Sequence, residues 1–272
     1  MGNVRPTAVA GAFYPGDAQA LATEVASLLA DANSLGGASA QHSPKAIIAP
    51  HAGFIYSGPI AASIYARLAP LRGRIQRVVL IGPAHRVWIR GVALPDASVF
   101  ASPLGDIEID ADAVKAIASL PQVSVRRDAH AHEHCLEVQL PFLQSVLGVF
   151  KLLPLVVGDA TAMEVAEVLE ALWGGEETLV VVSSDLSHYL DYRTAQKVDR
   201  ETARAILALR PELGHEQACG ATPINGLIEL AHRRRLDVEQ VDLRNSGDTA
   251  GDRSRVVGYG AFAFHENRAG HA

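Results

Sequence analysis

The run TLVVVSS at 178–184 is apolar almost end to end, and the runs AIIA at 46–49, VVLI at 78–81 and KLLPLVV at 151–157 share its character. A strand with one wet face alternates polar and apolar residues, whereas a strand covered on both faces has no need to. Stretches with helical spacing separate these runs, so strand and helix alternate along the chain. The pattern predicts an α/β fold, a three-layer α/β/α sandwich around a mostly parallel central sheet. Two late runs, Val238 to Leu243 and Val256 to Phe264, follow in succession and make that sheet mixed. No Pro/Gly/Ser-rich linker divides the 272 residues, so one domain over 1–272 is expected.

Apolar spacing predicts helices from about Asp17 to Leu29, Gly58 to Leu68, Ala111 to Leu120, Ala162 to Leu172, Thr194 to Leu209 and Thr222 to Arg234. A helix from about Glu133 to Leu147 is expected to be interrupted at Pro141, which lacks an N–H. Short strands are expected at Asp106 to Ile109 and Val123 to Val125.

A formal net charge of −6 argues against a general nucleic-acid binder, since phosphate contact needs a basic footprint. The one basic run, Arg233 to Arg235, falls late in a helical pattern, where cations complement the carbonyl end of the helix dipole. The opening MGNVRPT lacks the apolar region of a signal peptide, and no stretch of about 18 apolar residues marks a membrane span. Cys135 and Cys219 are the only cysteines, so no disulfide framework is encoded and a reducing compartment fits. The expectation is a cytoplasmic protein with neither membrane nor nucleic acid as partner.

Three histidines follow strand-like runs: His51 after KAIIAP, His85 after VVLIGPA, and His188 after TLVVVSSDLS. In open α/β sheets ligands bind beyond the carboxyl ends of the strands, so such placement gathers distant residues into one crevice. Imidazole both ligates transition metals and titrates near neutral pH, which points to a metal or acid/base centre. Asp185, three residues before His188, reads as a helix cap, a ligand or the group that orients an imidazole. In DAHAHEHC the spacing is not HExxH, so a zincin is excluded; His130 and His132 read as solvated loop, while Glu133 and His134 open a helix near the crevice. Glu137 reads equally as solvent-facing, and Cys135 as packed. Cys219 reads either as a packed core residue or, because it precedes a helix starting near Thr222 whose N-terminus would lower its pKa, as a thiolate. Ser183 and Ser184 lack the GxSxG elbow of a hydrolase and read as the end of a strand, and no GxGxxG follows an early strand.

PHAGFIYSG, LIGPAH, EHCLEVQLPFLQ, SSDLSHY and CGATPI occur in that order, and together they resemble the Memo family, whose bacterial and archaeal members are labelled AmmeMemoRadiSam system protein B. The resemblance runs from AGAFYPGD to VVGYGAFAF. It implies a fold similar to class III extradiol dioxygenases, which hold Fe(II) with two histidines and a carboxylate and open catechol rings. Carried over, it makes His51 and His85 metal ligands, places Cys219 where the carboxylate ligand is expected, and gives His188 the acid/base role. Glu133, His134 and Asp185 lie nearby. Cys219 thus counts both as ligand and, with His188, as a catalytic residue. A thiolate is softer than carboxylate and admits copper or zinc as well as Fe(II). The implied partners are a small aromatic diol and, by family association, AMMECR-type and radical-SAM proteins. The alternative is a non-enzymatic protein that handles metal or binds a peptide or phosphopeptide in the same pocket. Either way, His51, His85, His188 and Cys219 are expected to converge, with polar atoms within about 8 Å of another member.

Overall fold

Along the buried strands successive side chains point to opposite faces, and both faces are dry. Ile47, Val78, Leu80 and Val181 enter one apolar cluster, while their neighbours Ala46, Ile48, Val79, Ile81, Val180 and Val182 enter a second. That is the three-layer arrangement, in a computed structural model that describes residues 3–34 and 43–266.

In chain order the first half comprises β1 (Val4–Arg5), α1 (Ala18–Ser34), β2 (Ala46–Ala49), α2 (Phe54–Tyr65), β3 (Arg77–Pro83), β4 (Val92–Leu94), β5 (Val99–Phe100), β6 (Ile107–Glu108), α3 (Ala111–Ile117), β7 (Val123–Val125) and α4 (Arg127–Ala131). The second half comprises α5 (Leu140–Leu147), β8 (Lys151–Val157), α6 (Ala162–Ala171), β9 (Thr178–Ser183), β10 (His188–Leu190), α7 (Tyr192–Leu207), α8 (Ala221–Arg234), β11 (Asp237–Asn245) and β12 (Val256–His265). The main sheet has the order β10-β12-β2-β9-β3-β8-β4-β7, with β11 also paired to β12. Its centre, β2-β9-β3-β8, is wholly parallel, and β12 runs antiparallel to β2, β10 and β11. The second small sheet, β1-β5-β6, ties the N-terminus to the middle of the chain.

Helices α1, α2 and α5 cover one face, burying Leu21, Val25, Ile60, Ile64, Phe142 and Leu143. Helices α6 and α8 cover the other with Val165, Leu169, Ile224 and Leu227. Fully burying such side chains stabilises by roughly 1.5–3 kcal/mol each, which is why sheet and helices form together. Local chemistry sets the helix starts. Asp191 accepts from the Arg193 and Thr194 amides and begins α7 at Tyr192, two residues earlier than spacing suggests. The basic run closes α8, with Arg235 in the left-handed conformation as its C-cap.

Two helices differ from expectation near the site. Helix α2 begins at Phe54 and not Gly58, because Gly53 caps it and the Phe54 amide donates to the Phe13 carbonyl at 2.8 Å. The expected helix from Glu133 to Leu147 is instead a turn, a short 3-10 segment over Glu137–Gln139, and α5. Pro141 sits in the first turn of α5, where an N–H has no intrahelical partner, so it starts the helix and does not interrupt it. Among the described residues, no helix is long and apolar enough to cross a membrane.

Candidate metal centre

Because β2, β9 and β3 are adjacent and parallel, the segments that leave their carboxyl ends emerge side by side. His51 follows β2, His85 follows β3, Asp185 follows β9, and His188 opens β10. His51 is 1% exposed. Its backbone N–H donates to Asp185 Oδ1 at 2.7 Å, and its ring Nδ1 lies 2.9 Å from Ser183 Oγ. For His85, the backbone N–H donates to Glu133 Oε2 at 2.7 Å and ring Nδ1 lies 2.9 Å from Oε1. Glu133 Oε1 also accepts from the amides of His134 (2.9 Å) and Cys135 (3.1 Å).

The rings then meet. His51 lies 5.1 Å from His85 and 5.3 Å from His134 between centroids, and His85 lies 4.7 Å from His134. One ligand nitrogen from each of these three residues falls within 4.8 Å of the other two. Cys219 Sγ lies beside this set, 3.3 Å from His51 Nε2, and is not one of the three mutually close donors. His85, His188 and Cys219 line a common cleft of about 1080 Å³ whose walls include Trp88 and Tyr189.

The electrostatics favour neutral imidazole beside ionised carboxylate. Burial, and then the neighbouring His85 and His134 rings, hold His51 well below the usual imidazole range. Burial works against the ionised form of Glu133, but the His134 and His85 rings and the His85 amide prevail and hold its carboxyl well below the usual range. Asp185 is raised by burial against the pull of the His51 amide. It is neither a helix cap nor exposed; it fixes the backbone at His51. Cys219 corrects the sequence reading. Burial, then Asp185, pushes its thiol up to about 12, and this outweighs the start of α8 two residues on.

One further expectation fails here, and one open reading is decided. His130 is not solvated loop; it is buried, with Nε2 2.9 Å from the Ala93 carbonyl oxygen, while His132 is exposed as expected. Glu137 faces no solvent. It accepts from the Ala8 amide (2.7 Å), the Val9 amide (3.0 Å), the Tyr14 hydroxyl (2.6 Å) and the Arg5 guanidinium. Arg5 also donates from Nε to the His130 carbonyl at 3.0 Å and from Nη2 to that of Glu133, so β1 clamps the segment that carries Glu133 and His134. Arg5 and Gln139, which spacing left unmarked, and Ser183, read as a strand end, therefore hold the site from behind. Cys135 is packed, its Sγ 3.3 Å from the Pro83 carbonyl.

The donor chemistry fits a divalent first-row metal. Nδ1 of His51 and of His85 are engaged from behind, which leaves Nε2 as the nitrogen offered forward. His134 Nδ1 is buried and lies 3.2 Å from Glu133 Oε1, outside good hydrogen-bond geometry. Three imidazole nitrogens within 4.8 Å of one another are a donor set that a divalent first-row ion fits.

The family model described as Memo-like protein matches residues 5–263. The chain belongs to the Memo-like family. Among Memo-like relatives, a MEMO1 family protein of Aquifex aeolicus is 35% identical over 96% of this chain and 99% of its own length. One from Ignicoccus hospitalis is 36% identical over 96% and 98%. An uncharacterized protein from Escherichia coli K12 of known structure covers 79% of this chain and 98% of its own, at 16% identity and TM-score 0.49.

Proposed function

We propose that this Memo-like protein is a cytoplasmic non-haem-iron oxidoreductase acting on a small vicinal diol with O₂. The observation that carries the proposal is the meeting of three imidazoles, with a thiol beside them, where His85 and Cys219 line an open cleft. His51 and His85 are the fixed ligands and Cys219, as thiolate, completes the set; His134 is the competing third donor. When bound, Fe(II) supplies Lewis acidity toward a diol oxygen and the electrons that O₂ chemistry requires.

The chain's own residues do the rest. Burial keeps His51 neutral, as ligation requires. Glu133, ionised, fixes the ring of His85 and the backbone of His134. His188, half-buried on the cleft wall, takes the proton from the substrate hydroxyl and later returns one to the product. Both cysteines are free, in keeping with a reducing compartment. Association with AMMECR-type and radical-SAM proteins is part of the same proposal and rests on the family resemblance alone.

A second reading, a non-enzymatic protein that seats a peptide in this cleft, is favoured by the exposure of Trp88 (75%) and Tyr189 (63%) on its wall. Oxygen uptake with catechol, measured on iron-loaded wild type and His188→Ala, separates the readings. Catechol-dependent uptake that His188→Ala abolishes while keeping its iron supports the oxidoreductase. Iron retention without uptake for any diol tried favours the binder. Metal content of Cys219→Ser against His134→Ala assigns the third ligand.

A further inference from the structure

The hydrogen bonds around Ser183 determine more than the position of His51. Gln139 is fully buried, and its Nε2 lies 3.0 Å from the Pro50 carbonyl oxygen and 2.8 Å from Ser183 Oγ, while its Oε1 accepts from the Tyr65 hydroxyl at 2.8 Å. The opposite amide orientation would set Oε1 against a carbonyl oxygen, so nitrogen faces Pro50 and Ser183. Gln139 is therefore a donor to Ser183, and the Ser183 hydroxyl proton points elsewhere.

Two acceptors remain in reach of that proton: the Cys135 carbonyl at 2.7 Å and His51 Nδ1 at 2.9 Å. The Cys135 carbonyl is buried in a fully buried residue, and the Ser183 hydroxyl is the donor the fold provides for it. Diverting the proton to His51 would strand this carbonyl, at a cost of about 1–3 kcal/mol for an unsatisfied buried group. A hydroxyl has one proton and two lone pairs; with the proton on Cys135 and one lone pair taken by Gln139, the other lone pair faces His51.

We infer that Ser183 is a positioning residue that fixes His51 as its Nδ1–H tautomer, so that the Nε2 lone pair is presented toward the donors of the metal centre. Nε2 then accepts from the Cys219 S–H over the 3.3 Å that separates them, until a metal replaces that proton. Selecting a tautomer in advance removes a rearrangement that metal binding would otherwise require. Tyr65, whose ring stacks on Phe142 at 5.1 Å, anchors Gln139 and hence the whole chain of donors.

The inference deepens the proposed metal site, but its deciding readout, the His51 tautomer, is taken without metal, so the two fail separately. Long-range ¹⁵N–¹H correlation spectra of histidine-labelled, metal-free protein, with His51→Gln for assignment, report which His51 nitrogen carries the proton. Protonated Nδ1 in wild type is expected, and protonated Nε2 overturns the inference even if Ser183→Ala does not fold. In Ser183→Ala, Nε2–H is expected to become populated and Zn²⁺ affinity to fall about 10- to 100-fold, the usual effect of removing a group that orients a ligand. A Ser183→Ala protein with an unchanged His51 tautomer and unchanged Zn²⁺ affinity overturns it as well.

Discussion

The rings of the two histidines that leave β2 and β3, the parallel strands on either side of β9, are held by opposite kinds of chemistry. His85 rests on an ionised buried carboxylate, Glu133, whose carbonyl is gripped by Arg5 of the Arg5–Glu137 pair. The His51 ring rests on neutral groups, Ser183 and behind it Gln139 and Tyr65, and only its backbone amide reaches a carboxyl group, that of Asp185. Charge-assisted hydrogen bonds are roughly twice as strong as neutral ones, but a buried charge stripped of its partner is also far more damaging. The His85 side should therefore break in large steps that cost fold and metal together. The His51 side should change metal binding with little loss of stability.

The largest effect expected is from Glu133→Ala, which strands the amides of His85, His134 and Cys135 and frees the His85 ring. Chemical denaturation should show a loss of at least about 3–5 kcal/mol, with metal affinity down about 100-fold. Next comes Arg5→Met, which leaves Glu137 a buried carboxylate without its cation. It should cost about 3 kcal/mol by the same measurement. If Arg5→Met also loses metal as fully as Glu133→Ala, the β1 clamp acts on the ligands themselves and the two sides are less distinct than proposed.

A pH effect sharpens the comparison. Burial lowers His130 to about 4, the Arg5 charge adding to this and the Ala93 carbonyl opposing it. As pH falls below about 6.5 the unfolded chain takes up this proton while the native protein does not, so stability is lost from pH 6.5 down to about 4 and the loss is complete below that. Wild type should lose up to about 3 kcal/mol across this window from His130 alone. In His130→Gln, which keeps a donor for Ala93, the same denaturation series should be flatter. An equally steep profile would remove His130 as the cause. The smallest effect belongs to Thr161→Ala: losing the cap of α6 should lower stability by about 1 kcal/mol and leave metal content unchanged.

The strands and the residues just beyond them were legible in the sequence because both are local patterns: LVVV needs two covered faces, and His51, His85 and Asp185 follow such runs directly. What stayed hidden is pairing across long separations. Arg5 and Glu137 meet across 132 residues, and Gln139 reaches Ser183 across 44, with no spacing to announce either. His130 was misread for the same reason, since DAHAHEHC looks polar until Ala93 supplies its carbonyl 37 residues away. The thiol of Cys219 shows the limit of a local electrostatic rule: a helix start lies beside it, but burial and Asp185, brought in by another strand, decide the direction.

The central claim is that these strand-end histidines hold a metal. Elemental analysis of anaerobically purified wild type, His51→Ala and His85→Ala, with the exposed His132→Ala as control, tests it directly. The account predicts one iron per chain in wild type and in His132→Ala, and little or none in the other two. Equal metal content in all four proteins, or a wild type that takes up no divalent metal when iron, copper and zinc are each supplied, would contradict it.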